Sequence, residues 1–255
     1  MKIYTEVRGK GQPIVVLHGG GCNHNHMLPI VEHLSKNFHV INVNLPGAGE
    51  SEWHNITDMH DIADSILTVL PENAIYIGWS FGGLVAASIA ARYPARIKQL
   101  IGITTTPKFV EDDHWFGIPK PGFKAGFNVS NQQDFEAILT SFIDNEFVNI
   151  NPKPACYYQL DKINKVGSKR NIDILKQSIN IVDATDFRSE YQAITCPIDL
   201  FFGGSDGCIP KSAYANIQSL NKNIVIHVIP NAQHMIFWTH KEEFFGILDD
   251  VLRNE

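Results

Sequence analysis

One serine stands where a strand-like run breaks into glycines, in Ala74-Ile75-Tyr76-Ile77-Gly78-Trp79-Ser80-Phe81-Gly82-Gly83, and an alanine-rich segment follows it. A short apolar run, a Gly-x-Ser-x-Gly turn and a helix-forming stretch read as strand, sharp turn and helix. In such a turn the serine is held in a strained backbone conformation that lifts its hydroxyl above the sheet edge. Strand and helix then pass so closely that sterics choose glycine at positions 78 and 82. Ser80 is therefore the candidate nucleophile. Attack on an acyl carbon also needs a base, an acid to orient that base, and donors for the oxyanion. His234, closing Pro230-Asn231-Ala232-Gln233-His234, is the candidate base, and Asp206, closing Gly203-Gly204-Ser205-Asp206, is the candidate acid. Both sit just past a strand-like run, where open α/β sheets collect ligands. Asp186 competes for the acid role, but its place at the end of an inserted segment suits it less. The oxyanion donors fall to Gly20, in His18-Gly19-Gly20-Gly21, and to Phe81, the residue after the nucleophile.

The elements that must hold these residues follow from hydrophobic patterning. Ile3 to Arg8 alternates like an edge strand. Ile14-Val15-Val16-Leu17 is a continuous aliphatic run, too short for a helix and suited to a parallel strand buried on both faces. Phe38 to Val43, Leu100 to Ile103, Pro197 to Phe202 and Ile224 to Ile229 read the same way. Thr57 can cap a helix from Asp58 to about Leu70 with Ile62, Ile66 and Val69 on one face, and its Asp58, His60 and Asp61 read as a solvated cluster. Leu84 to Tyr93 and His240 to Arg253 are further helices. Between Pro107 and about Arg188 the alternation lapses, and helical patterns appear around Phe135 to Phe147, Ala155 to Lys165 and Asn171 to Val182. Eighty residues between two strands are too many for a structureless loop. The fold expected is α/β: a mostly parallel sheet flanked by helices, with residues 1–106 and 189–255 as core and 107–188 as an inserted helical cap. A cap over the strands' C-terminal ends would wall the site, and Phe81, Phe109, Trp115, Phe123, Phe127 and Phe142 are the aromatics that could line an acyl channel beneath it.

Several function classes are disfavoured. A net charge of −6 (21 basic, 27 acidic residues) argues against nucleic acid and anionic membrane surfaces, and no apolar run approaches the roughly 20 residues that cross a bilayer. The loop holding His18, Cys22, His24 and His26 matches no zinc spacing. Leu45 to Ser51 lacks the Gly-Lys-Ser/Thr of a phosphate loop and the spacing of a dinucleotide fingerprint. Neither metal nor organic cofactor is expected. The cysteines, Cys22, Cys156, Cys196 and Cys208, form no C-x-x-C pair, and Met1-Lys2-Ile3-Tyr4 enters a strand without a signal-type apolar segment. That combination suggests reduced thiols and a cytoplasmic protein whose partner is a small molecule or another protein.

Nucleophile, acid and base in the order Ser80, Asp206, His234, with a glycine-rich loop upstream, is the arrangement of the α/β-hydrolases. Within them, Gly78-Trp79-Ser80-Phe81-Gly82-Gly83, Thr106-Pro107-Lys108-Phe109, Trp115-Phe116-Gly117-Ile118 and Asp186-Phe187-Arg188 resemble the biotin-synthesis carboxylesterases. The resemblance implies hydrolysis of the methyl ester of pimeloyl-acyl carrier protein, with an ester presented by that carrier as substrate. Three departures stand out: Asn44 replaces an aspartate before Leu-Pro-Gly, Gly20 replaces an aromatic of the oxyanion loop, and Ala137 and Ser141 replace cap arginines implicated in carrier docking. The basic stretch left for docking is Lys162, Lys165, Lys169, Arg170 and Lys176. One triad also serves short-chain esterases, lactonases and carbon–carbon-bond hydrolases, and a non-catalytic ligand receptor can share the fold. A haloalkane dehalogenase would carry aspartate at position 80.

Overall fold

The computed structural model describes residues 1–120, 130–166 and 172–253. Seven strands, β1 (Thr5–Arg8), β2 (Pro13–Leu17), β3 (His39–Val43), β4 (Ala74–Trp79), β5 (Ile97–Ile103), β6 (Ile198–Gly203) and β7 (Ile224–Ile229), form one sheet in the order β1-β3-β2-β4-β5-β6-β7. The edge strand β1 runs antiparallel to β3, with Thr5 opposite Val43, and the other neighbouring pairs are parallel.

The aliphatic runs account for the parallel centre. On β2, Ile14 and Val16 share a face with Ile75, Ile77 and Phe201, whereas Val15 and Leu17 join Tyr76, Leu200 and Phe202 on the other. All four β2 side chains are fully buried, and each such burial is worth about 1.5–3 kcal/mol. The first face is covered by α1 (Leu28–Leu34), through Ile30, Val31 and Leu34. The second is covered by α2 (Met59–Leu67) and α3 (Phe81–Arg92). Ala86, Ala87 and Ala90 of α3 are buried, the close packing their size permits.

Among the described residues four helices, α4 (Gln132–Glu146), α5 (Ala155–Val166), α6 (Ile172–Ala184) and α7 (Arg188–Ala193), fall between β5 and β6, and α8 (Ala213–Leu220), α9 (Ile236–Thr239) and α10 (Lys241–Arg253) follow. The patterned helices of the insertion appear near the expected bounds. Three expectations about α2 are corrected. Its N-cap is Asp58, whose side chain accepts from Asp61 N; Thr57 instead donates to the Asp61 carboxylate through both its N–H and its hydroxyl. The helix ends at Leu67, so Val69 falls outside the apolar face and is exposed. His60 is half-buried rather than part of a solvated face: its Nδ1 lies 2.7 Å from Ser88 Oγ and its ring stacks on Phe187. Among the described residues no helix is long and apolar enough to cross a membrane.

The sheet order places the site. Strand β2 sits between β3 and β4, so the chain leaves β2 toward one side and returns on the other, and the loops after β2 and β4 diverge there. Open α/β sheets bind ligands at this kind of switch point. Here those loops are His18–Gly21 and the turn at Ser80.

Candidate active site

Ser80 has φ 53° and ψ −115°, a conformation that costs a residue with a side chain on the order of 1–3 kcal/mol. Its surroundings hold it. Ser80 N donates to Ile103 O at 2.8 Å, its carbonyl accepts from Gly83 N at 2.9 Å, and the buried Thr105 hydroxyl donates to the same carbonyl at 2.8 Å. The two glycines of the motif are sterically required: a Cβ on Gly78 would lie 2.5 Å from Gly82 O, and one on Gly82 would lie 2.4 Å from Leu17 O. Both obstacles are backbone and cannot move aside.

Asp206 and His234 meet at the ends of β6 and β7. Nδ1 of His234 donates to Asp206 Oδ2 at 2.9 Å, and Cys208 N donates to Asp206 Oδ1 at 2.7 Å, so both carboxylate oxygens are engaged. Burial by itself pushes the His234 imidazole down, but the Asp206 carboxylate and the Cys208 side chain outweigh it and hold the pKa well above the ordinary histidine value. The base loop is tied directly to the serine turn. Trp79 Nε1 donates to His234 O at 3.1 Å, Thr104 Oγ1 donates to the same oxygen at 2.8 Å, and the Trp79 and His234 rings lie 5.9 Å apart. Residues adjoining Ser80 on β4 and following β5 thus anchor the backbone of the histidine. Asp186 is elsewhere, in ion pairs with Arg188 at 2.6 Å and Lys108 at 3.4 Å.

The glycine loop lies against the start of α3: a Cβ on Gly20 would fall 3.6 Å from Phe81 Cβ. Phe81 is the first residue of α3, so its N–H has no intrahelical acceptor, and the helix dipole adds positive potential there. His18 shapes this loop. Its Nε2 accepts from Leu45 N at 3.0 Å, which leaves the proton on Nδ1 to donate to Gly19 O at 2.8 Å. His24 and His26 are also in hydrogen bonds, to Asn44 Oδ1 at 2.9 Å and to Asn164 Oδ1 at 3.0 Å. The buried Asn44 holds this loop through His24. Asp206, Cys208 and His234 each offer a ligand-type atom within 4.8 Å of the others, but the carboxylate and imidazole are spent on each other, an arrangement that handles a proton.

A cavity of about 40 Å³ opens beside the glycine loop, lined by Gly19–Gly21, Phe81, Pro46 and, from α6, Ile174, Leu175 and Ser178. Phe135 of α4 and Leu175 of α6 pack together over Gly21, where a Cβ would come within 3.1 Å and 3.4 Å of them. Of the six aromatics expected to line a channel, Phe81 borders this cavity, and Phe142 of α4 stands edge-on to His234 with ring centres 5.9 Å apart. Phe109 and Trp115 are buried in the core cluster that includes Phe81 and Phe187, and neither borders the cavity. Phe123 and Phe127 lie outside the described residues. A larger groove of about 500 Å³ runs between the start of α2, the end of α6 and the start of α7; Asp186 lines it, whereas Ser80, Asp206 and His234 do not.

Sequence reasoning missed Thr104, Thr105, Trp79 and Glu146 as parts of the site. The glutamate accepts from His234 N at 3.1 Å and Met235 N at 2.7 Å. No local signal marks it: in Phe142-Ile143-Asp144-Asn145-Glu146-Phe147 it is one of two acids. A serine in a strained turn, an imidazole–carboxylate pair whose loop is bonded to Trp79 and Thr104, and backbone donors at a helix start are the parts that acyl transfer needs.

The alpha/beta hydrolase fold model matches residues 12–241. The chain is 30% identical over 253 residues to the pimeloyl-[acyl-carrier protein] methyl ester esterase of Pseudoalteromonas atlantica, covering 98% of each. Among solved structures it is similar to an esterase from Exiguobacterium antarcticum (TM-score 0.87, 22% identity, covering 98% of this chain and 95% of that one). It is also similar to the enol-lactonase from Burkholderia xenovorans (TM-score 0.80, 19% identity, covering 98% and 96%). At these identities the two structures bear on fold alone.

Proposed function

The chain belongs to the α/β-hydrolase family and is a hydrolase acting on esters, and from that premise we propose that it is a serine carboxylesterase for pimeloyl-[acyl-carrier protein] methyl ester, releasing methanol and the carrier-bound acid in biotin synthesis. The observation that carries this reading is the end-to-end 30% identity with the Pseudoalteromonas enzyme. In this mechanism Ser80 Oγ attacks the ester carbonyl as His234 takes its proton. Asp206, bonded to Nδ1 at 2.9 Å, keeps the ring in the required tautomer and stabilises the imidazolium. The N–H groups of Gly20 and Phe81 hold the oxyanion. His234 returns the proton to the departing methoxide, methanol leaves, and water activated by the same histidine releases the acid from Ser80. Helices α4–α6 act as the cap, and Phe81 and Phe142 contact the acyl chain or the ester group.

A second reading, a general short-chain esterase, draws on the surface of α4. Its exposed residues, among those described, are Gln133, Glu136, Ala137, Thr140, Ser141, Asp144 and Asn145, neutral or acidic, and so offer nothing to an acidic carrier protein. A carrier would have to use Lys162, Lys165 and Lys176, all exposed, with Lys165 already paired to Asp161 at 2.6 Å. Lys169 and Arg170 of that stretch lie outside the described residues. Assaying the methyl ester on acyl carrier protein beside the same free ester separates the readings. Carrier-dependent recognition predicts kcat/KM at least about tenfold higher for the loaded carrier, with the advantage shrinking as salt rises, since exposed charges are screened over about 10 Å at 0.1 M. Equal turnover of the two, or none on the carrier, favours the general esterase.

A further inference from the structure

We propose that Glu146 is a positioning residue for the catalytic histidine, a carboxylate at the end of α4 that clasps the His234 loop from the insertion side and whose negative charge supports the imidazolium. The inference rests on the serine-esterase reading of the site.

The geometry is specific. Three residues at i, i+3 and i+4 on α4 meet one loop. Phe142 stands edge-on to the His234 ring. Asn145 exchanges two hydrogen bonds with Gln233, Nδ2 to Oε1 at 2.6 Å and Gln233 Nε2 to the Asn145 carbonyl at 2.5 Å. Glu146 accepts from the successive N–H groups of His234 and Met235, one to each oxygen. Those two N–H groups belong to the turn that carries the base, so the carboxylate sets where the imidazole stands relative to Ser80.

A carboxylate here runs against two general preferences. It occupies the last turn of a helix, where the dipole disfavours negative charge, and its side chain is buried. Such a placement needs compensation, and the compensation is the base loop itself. Burial raises the Glu146 carboxyl to about 7, opposed by the positive charge on His234 and by the two N–H donors and reinforced by Asp206. The charged and titratable groups around it are therefore His234 and Asp206 on the sheet side. Nearby on the insertion side are Asp144, paired with the Tyr157 hydroxyl at 2.6 Å, and Lys153, whose Nζ donates to the Phe147 carbonyl at 2.6 Å. Near neutral pH a proton on Glu146 removes both an acceptor for the loop and the charge that favours the imidazolium.

The test uses a soluble chromogenic ester and full pH profiles of kcat and kcat/KM for the wild type, Glu146→Gln, Glu146→Leu and Ser80→Ala. Glu146→Gln keeps the shape and one of the two accepting oxygens, but not the charge. It should retain most of kcat while its acid limb moves to lower pH by about half a unit to one unit, the scale expected of a neighbouring charge. Glu146→Leu leaves two buried donors unpaired, and should lower kcat roughly 10- to 100-fold with KM little changed. A purely structural role would not move the acid limb of the Gln variant. An unmoved limb, or wild-type kcat in a folded Leu variant, overturns the proposal; if the Leu variant fails to fold, the Gln limb decides alone. Wild-type turnover that survives Ser80→Ala would remove the underlying site and this proposal with it, whereas Ser80-dependent turnover indifferent to Glu146 rejects this proposal only.

Discussion

Replacing Ser80 with alanine is expected to abolish ester hydrolysis while leaving the protein folded. The hydroxyl is the only atom removed. The turn that strains residue 80 is held by its backbone, through Ile103 O, Gly83 N and the Thr105 hydroxyl, so the variant keeps the scaffold and loses the nucleophile. Losses on removing one member of such a triad are about 10⁴ or more in rate. Steady-state turnover of a chromogenic ester, with circular dichroism and thermal unfolding matched to the wild type, checks both halves. A folded Ser80→Ala protein with near-wild-type turnover would remove Ser80 from the mechanism.

The second large effect separates two aspartates that both looked like acids in the sequence. Asp206→Asn should lower kcat by about 10³–10⁴, because an amide beside Nδ1 favours the wrong tautomer and leaves the imidazolium unsupported. His234 would also lose the charge that lifts its pKa against burial, so the remaining activity should persist to lower pH. The sign follows from the chemistry: the base must be neutral, and activity is lost as pH falls through its pKa. Asp186→Asn should be nearly silent in kcat, since that carboxylate is held by Arg188 and Lys108 at the end of the insertion. It should cost at most a modest amount of stability, as befits a partly exposed ion pair. The reverse ranking would make Asp186 the acid.

Much of this architecture was legible in the residues themselves. Aliphatic runs such as Ile14–Leu17 have no polar alternation, so a central parallel strand is the one regular element that buries them. The glycines at 78 and 82 announce a close crossing, and the structure shows the atoms that would collide. Less legible were the short helices. Helix α8 buries only Ala213 and Ile217, and the short α1 begins at Leu28 with Pro29 in its first turn. Val69 departs from the expected face because apolar spacing continues past the point where the backbone leaves the helix. Least legible were contacts between distant segments. Glu146 and His234 are 88 residues apart, and Thr104 and His234 are 130 apart. No local pattern encodes those pairings; they exist because the switch point and the insertion bring the segments together.

The most direct test of the central claim is covalent trapping. A fluorophosphonate ester mimics the tetrahedral intermediate and phosphonylates an activated serine, with fluoride as leaving group. Titrated against the purified protein and mapped by peptide mass spectrometry, it should place one phosphonyl group per chain on Ser80, extinguish esterase activity in proportion, and fail to label His234→Ala. Full loss of activity with the label on another residue, or full retention of activity with Ser80 labelled, would contradict the account.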